Sequence, residues 1–385
     1  MKIQRGVYMS GKFHFSPREN RAHEINWREW GEEAFKEAKE KEKLVLLSIS
    51  AVWCHWCHVM DEISYSYKPN INFINDEFIP IRVDNDKNPD INKRYNMGGW
   101  PTTVILTPKG EILDGSTYMP DKTLYSFLAK TSRYYRLHKR KGSLINKKEM
   151  KNTESTLQKT NDINEEILTN IDKAIDIHFD SHFGGFGVEP KFFNVETLDY
   201  LIFRCFNKKE DMFKMIIKTL DAMANGAIHD DEEGGFFRYS TTRDWSIPHY
   251  EKMLEDNAKL LDIYLKMFQL TSEGKYENTA IGIIKYMNNN LLDTKSGAFY
   301  GSQAADEYYY SLAKEDRRIK VAPLIDNTIY TDWNAMAISA YTRAYYVLKD
   351  ANFLSIAQRA ATFLIKNCFN EEHGMYHYYI NQAQK

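Results

Sequence analysis

Over the first 130 residues, short apolar runs alternate with stretches of helical period. Leu44–Ser50 (LVLLSIS) is apolar and rich in branched side chains, which predicts a buried strand. Residues 27–42 (WREWGEEAFKEAKEKE) bring Trp27, Trp30, Ala34 and Ala38 to one face of a predicted helix. A new helix begins at Cys54, and Phe78–Val83 reads as a second strand. Residues 88–95 (NPDINKRY) make a short helix opened by Pro89. A strand at Thr102–Leu106 and a last one near Glu111–Leu113 follow. Strands alternating with helices over so short a span predict a small α/β domain, residues 1–130.

From 131 to 162 the chain turns basic and loses its period. This stretch reads as a linker, a solvated tether rather than a nucleic-acid contact, since no aromatic interleaving accompanies the charge. From 163 to 385 the period is helical. Helices are predicted near 163–178, 193–206, 211–227, 249–269, 275–291, 332–348 and 352–367. Between them a turn recurs: Gly184-Gly185-Phe186, Gly234-Gly235-Phe236, Gly297-Ala298-Phe299 and Gly374-Met375-Tyr376. Each follows an acid, Asp180, Glu233, Asp293 and Glu372 respectively. The repeat unit is a helical hairpin with a variable loop, which makes the second domain an α/α array.

Composition narrows the function. Lys plus Arg is 51 and Asp plus Glu 53, a net charge of -2, so no overall field draws the chain to nucleic acid or a membrane. Leu44–Trp53, the longest apolar stretch, falls short of the about 20 residues a span needs. The opening MKIQRGVYMSGKF has no apolar core, so the expected location is the cytoplasm. Four cysteines are too few for a disulfide scaffold. Aromatics reach 14%, a level that suits sugar-binding clefts but equally fills cores.

Two of the cysteines stand in Trp53-Cys54-His55-Trp56-Cys57-His58, after a buried strand and at a helix start. Backbone N–H groups there stabilise a thiolate, and His55 and His58 add to that effect, so Cys54 is expected to be acidified and the more accessible sulfur. A second sulfur three residues on can form a disulfide with the first. Trp100-Pro101, entering a later strand, is expected to be cis and to face the pair.

These features together resemble the spermatogenesis-associated-protein-20-like family. The resemblance rests on CHWCHVM, IRVDNDKNPDINKRY, GGWPTTVILTPKG and STYMP in the first half. In the second it rests on GGFGVEPKF, GGFFRYSTTRDWSIPHYEKMLEDNAKL and TDWNAMAISAY. It implies a thioredoxin-like α/β domain followed by an all-α toroid like that of six-hairpin glycosidases. With seven or eight helices, the ring is expected to be incomplete, since six hairpins need about twelve. The implied activity is thiol–disulfide exchange with an unidentified protein partner, Cys54 attacking and Cys57 resolving. Trp53, His55, Trp56, His58, Trp100 and Pro101 would support the site. Two departures stand out. Ser48 occupies the place of the buried Asp of a typical thioredoxin, and the loop before Gly98 is shorter than the family's.

Other readings of the motif compete. CxxCH is also the attachment pattern of c-type haem, but that chemistry needs an exported apoprotein and a second axial ligand. Two Cys and two His could hold zinc, yet tetrahedral sites draw on two separated pairs and no second pair is visible. No metal or other cofactor is therefore expected. An inert pair on an inherited fold is the bland alternative. Cys205 and Cys368 read as packing residues.

In the helical half, Pro248 is expected in the first turn of a helix that carries His249, Glu251 and Asp256, with Trp245 just before it. Asp332-Trp333-Asn334 opens another helix with Asp332 as its N-cap, and Asp306 lies near a loop. Helix starts of successive hairpins gather at one end of a toroid. Trp245, His249, Glu251, Asp332 and Trp333 are thus expected around one cleft, able to take a carbohydrate ligand. Capping and intrahelical ion pairs account for the same acids without any catalysis.

Overall fold

Leu44–Ser50 is buried at every position, so the strand it forms, β1, can lie only inside a sheet. The computed structural model describes residues 13–141, 164–205, 210–380 and 383–384, which form two compact units, one on each side of residues 142–163. In the first unit β1 runs parallel to β2 (Phe78–Asp84) and antiparallel to β3 (Thr102–Leu106). β4 (Ile112–Ser116) completes the sheet order β2-β1-β3-β4. Side chains alternate across β1. Leu44 and Leu46 meet Met60, Ile71, Ile74, Leu124 and Leu128 on one face. Val45, Leu47 and Ile49 meet Ala34, Ala38, Ile91 and Tyr95 on the other. The helices that cover the two faces are α1 (Glu32–Glu40), α2 (His55–Glu62), α3 (Lys68–Glu77), α4 (Pro89–Tyr95) and α5 (Asp121–Lys141). This is the expected thioredoxin-like α/β arrangement.

Two boundaries differ from the sequence reading. Residues 27–31 are not helical, because the Arg28 amide donates to Pro80 O (2.9 Å) and the Arg82 amide to Arg28 O (3.1 Å). The segment is held against the edge of β2 and cannot wind. Residues 131–141 are not linker but the end of α5, where Thr131 and Ser132 are buried in continuation of the Leu124–Leu128 stripe. The remainder of the expected linker, 142–162, lies outside the described residues.

The second unit is an all-α array. Its helices are α6 (Glu165–His178), α7 (Val195–Cys205), α8 (Glu210–Asn225), α9 (Leu254–Thr271), α10 (Gly274–Tyr286), the short α11 (Glu307–Tyr310) and α12 (Lys314–Arg317), α13 (Thr331–Leu348) and α14 (Ala351–Cys368). α7 with α8, α9 with α10 and α13 with α14 form hairpins. α7 packs on α9 and α9 on α13, so the leading helices of the hairpins make one layer. Cys205 in α7 and Cys368 at the end of α14 are free thiols, half-buried and buried.

The recurring turn is built identically in three places. Asp180, Asp230 and Asp293 each donate an amide to the carbonyl five residues on, and each accepts from the glycine four residues on (2.7–2.8 Å). The acid of the second turn is thus Asp230 rather than Glu233, and Asn370 rather than Glu372 holds the matching place in the fourth, accepting from the Glu372 and His373 amides. A carboxylate or amide at the first turn position can cap amides two and three residues on, which a later residue cannot reach. Lys191 Nζ donates to Asp180 (2.7 Å) and Gly184 O (2.8 Å). Lys252 Nζ donates to Asp230 (2.6 Å) and Gly234 O (2.8 Å). Both lysines are fully buried.

Gly234 has φ +81°, and a Cβ there would stand 2.2 Å from Gly282 O. Gly187 shares the φ of +81° but faces open space. Gly187→Ala should therefore cost only the left-handed penalty, about 1–2 kcal/mol. Gly234→Ala should cost clearly more, because backbone must also move. Urea denaturation of the full chain followed by circular dichroism checks the order; equal losses would contradict it.

Candidate functional site

β1 delivers the chain to Trp53 and Cys54, and Cys54 is the N-cap of α2. Its carbonyl accepts from the amides of Cys57 (3.1 Å) and His58 (3.2 Å), and its Sγ accepts from the Cys57 amide (3.1 Å). The sulfur therefore lies where helix N–H groups point, the location that lowers a thiol's pKa. Cys54 and Cys57 are joined as a disulfide, with Cα atoms 5.2 Å apart. The expected difference in accessibility is not seen: each residue is 3% exposed. Position, not exposure, separates them.

The residues expected to support the pair have the following contacts. Trp53 Nε1 donates to Asp86 (2.6 Å), and its ring meets Trp100 edge-on at 5.6 Å. Trp100 Nε1 donates to Asn92 (3.1 Å), and Trp100–Pro101 is cis. Trp56 is 45% exposed and lies 4.9 Å from the Tyr118 ring; His55 meets it edge-on. His58 is buried, its Nε2 3.4 Å from that of His14. Ser48 is buried opposite Thr103, whose hydroxyl meets that of Tyr65 at 2.9 Å, so a group of hydroxyls fills the place of a carboxylate.

Sequence reasoning missed the ionic support beneath the pair. Asp61 accepts from both terminal nitrogens of Arg82 (2.9 and 2.8 Å) and from the Ser16 amide (3.1 Å). Arg82 Nε donates to His14 O (3.1 Å), and its guanidinium lies over Phe15 and Trp27. A charged residue inside FIPIRV, with an acid four positions after Cys57, was the available signal. His14 carried none.

The helical candidates divide. His249 Nδ1 is hydrogen-bonded to the fully buried Glu251 carboxylate, and its ring stacks on Tyr239 (4.8 Å), which stacks on Phe192 (4.8 Å). Burial would push the Glu251 carboxyl up, but His249 and then Arg238 hold it below its ordinary value. Burial pushes Asp256 up to about 7, with Arg238 opposing. These residues do not open a helix at 249: Pro248–His249 pairs with Tyr239–Ser240, and Lys252–Met253 with Ser302–Gln303. Partners elsewhere in the chain take the backbone groups that a helix would need, so α9 starts only at Leu254.

The other residues of the expected cleft have packing and capping roles. Trp245 is buried, donates to Phe183 O (3.1 Å) and plugs the space beside Gly185 and Gly226. Trp333 packs on Tyr330 (4.4 Å). Asn334 binds the amide and carbonyl of Phe299 (2.8 and 2.9 Å), as Asn257 does for Phe236 (2.8 and 3.0 Å). Asp306 caps α11. Asp332 is exposed and is not the N-cap of α13, which is Tyr330. Among the described residues, no group of three or more His, Cys, Asp or Glu is arranged to hold a metal, and no helix is long and apolar enough to cross a membrane.

Residues 16–161 match the Thioredox_DsbH family, described as a protein of unknown function, DUF255. The chain is 36% identical over 313 residues to an uncharacterised protein of Caenorhabditis elegans, covering 73% of this chain and 41% of that one. It is 33% identical over 307 residues to spermatogenesis-associated protein 20 of Rattus norvegicus, covering 73% and 39%. It thus spans about two fifths of the length of these curated relatives. Among solved structures, it is similar to cellobiose 2-epimerase from Bacillus thermoamylovorans, with 11% identity, TM-score 0.44 and coverage of 55% and 58%.

The raised carboxyl of Asp256 sets a pH slope. Between its unfolded value of about 3.9 and about 7, the folded chain binds more protons than the unfolded one. Stability from this group is present at low pH and is lost as pH rises toward 7. Asp256→Asn should therefore raise the melting temperature more at pH 8 than at pH 4. A constant difference at the two pH values would contradict the assignment.

Proposed function

From its similarity to the spermatogenesis-associated-protein-20-like family, we propose that the N-terminal unit of this chain performs thiol–disulfide exchange on a protein partner. One observation carries the reading: Cys54 caps α2 with its sulfur on the Cys57 amide and within bonding reach of the Cys57 sulfur. In the reduced form, the Cys54 thiolate attacks a partner disulfide. A Cys54–partner S–S bond forms, and the first partner sulfur leaves as a thiolate that takes up a proton. Cys57 then attacks the Cys54 sulfur, forms the Cys54–Cys57 bond and releases the second partner thiol. The partner gains two electrons and the CxxC pair loses them; the reverse sequence oxidises a partner dithiol. Reduction of insulin disulfides with dithiothreitol as the electron source tests this. Cys54→Ser should fall to the uncatalysed rate, and Cys57→Ser should trap a mixed disulfide at Cys54. Undiminished turnover by Cys54→Ser, or trapping at Cys57 instead, would overturn it.

A second reading concerns the helical unit, and the His249–Glu251 pair beside the Phe192–Tyr239 stack favours it. A buried carboxylate orients the imidazole as a base, and aromatic faces suit the C–H face of a sugar ring. On this reading the helical unit binds or modifies a carbohydrate. Screening mono- and disaccharides by thermal shift should find a stabilising ligand whose effect His249→Ala removes. A shift that survives His249→Ala would place binding elsewhere.

A further inference from the structure

Neither the CxxC pair nor the His249–Glu251 pair involves His229, which stands at the start of the second recurring turn and bridges across it to Phe236. Its Nδ1 is hydrogen-bonded to the Asp231 carboxylate (2.9 Å), an acceptor, so the neutral ring is the Nδ1–H tautomer. Nε2 is then a bare lone pair, buried and without a hydrogen-bond partner. The ring lies on Phe236 (4.8 Å), and Nε2 lies against α10 at Gly282, where a Cβ would stand 3.8 Å from it. A neutral ring suits that wall. An imidazolium would bury an N–H with no acceptor, which the chain escapes only by opening. The same turn is seated on α10 by Gly234, whose missing Cβ would stand 2.2 Å from Gly282 O. It also fastens α11 and α12. Asp230 accepts from Arg317 (2.9 Å to each oxygen), and Glu233 accepts from the Tyr309 hydroxyl (2.8 Å). Arg317 in turn donates to Leu312 O (2.9 Å) and Tyr310 O (2.7 Å).

We infer that His229 is an acid-sensitive catch: protonation of its buried Nε2 lifts the 229–236 turn from α10 and loosens α11 and α12, which the turn holds. The loosened segment carries Tyr310, whose ring stacks on Tyr250 (5.8 Å), the residue between His249 and Glu251. Acid would thus reach that stretch of chain through the turn. Burial, the largest effect, lowers the His229 pKa below its ordinary value of about 6.5; Asp231 opposes the shift, Lys252 adds to it and Asp230 opposes it. The open turn therefore takes a proton more readily than the closed one, and closure weakens as pH falls through about 6.5. The other groups on the turn do not imitate this. Burial would raise the Asp230 carboxyl, but Lys252 and Arg317 hold it below its ordinary value. Burial keeps the Tyr286 phenol of α10 neutral. It also lowers Lys252, against Asp230, but loss of that proton would loosen the turn as pH rises, the opposite direction.

Hydrogen exchange of the full chain at about pH 7.5 and about pH 5.5, one unit on either side of the ordinary histidine value and each corrected for the intrinsic rate, tests the catch. The amides of Gly234, Phe237, Tyr310 and Arg317 close the turn and the two short helices. Their protection should fall severalfold at the lower pH, and by no more than about tenfold, the limit that one proton with an ordinary value of about 6.5 allows. His229→Phe keeps a ring against Phe236 but takes no proton, and should abolish the fall. Asp231→Asn, at a position that is 88% exposed, withdraws the carboxylate that favours the imidazolium and should deepen the fall. A further measurement needs no substitution: the His229 ring of the full chain, followed by NMR, should titrate below about 6.5. An equal fall in folded His229→Phe, a smaller fall in Asp231→Asn, or a ring that titrates above about 6.5 overturns the catch. If His229→Phe does not fold, Asp231→Asn and the ring titration decide it.

Discussion

Two fully buried ammonium groups, Lys191 and Lys252, hold the helical unit in register. Each joins the turn that closes one helix to the segment that enters the next: Asp180 after α6 to Lys191 before α7, and Asp230 after α8 to Lys252 before α9. A second cation completes each carboxylate, Arg243 for Asp180 and Arg317 for Asp230. A charge buried alone costs several kcal/mol, so each pair must close together or stay open. Burial lowers the Lys252 pKa, and Asp230 opposes the shift. Both groups also donate to a glycine carbonyl of the same turn, which ties the latch to backbone as well as to charge.

The latch also sets the local chemistry. Lys252, anchored on Asp230, stands in one of two short strands, Pro248–His249 and Lys252–Met253, and His249 and Glu251 fall on either side of Tyr250 between and within them. Two residues apart along non-helical, paired backbone, their side chains can share a face and meet. On a helix they would have pointed about 200° apart. The hydrogen bond between them depends on the chain not being helical there.

In the first unit a comparable ionic contact works at the CxxC pair. Arg82 issues from a buried strand and engages Asp61 on α2 and the His14 carbonyl together. This fixes the helix that bears the cysteines against the sheet and lays the segment at 13–16 over it. Phe15 and Trp27 cover the guanidinium, so the pair is shielded from water without losing its partners.

Much of this was legible along the chain. Five apolar residues among the seven of Leu44–Ser50 dictate a central strand, and a cysteine pair directly after it stands at a helix start. Helical period from 163 onward determines an α/α array, because no other arrangement buries a stripe that recurs every three to four residues. What failed were places where long-range partners outbid local propensity. Arg28 joined the sheet edge, 248–249 paired with 239–240 and 252–253 with 302–303, and 131–141 continue α5 with Thr131 and Ser132 buried. Trp245, Trp333 and Asn334 look like binding residues in sequence, yet tertiary packing makes them plugs and latches. His14 has no local pattern at all and meets His58 on a segment held by Arg82, 68 positions away, and by the Ser16–Asp61 bond. Periodicity reports which face of a segment avoids water; which distant side chain meets it there is decided by the fold.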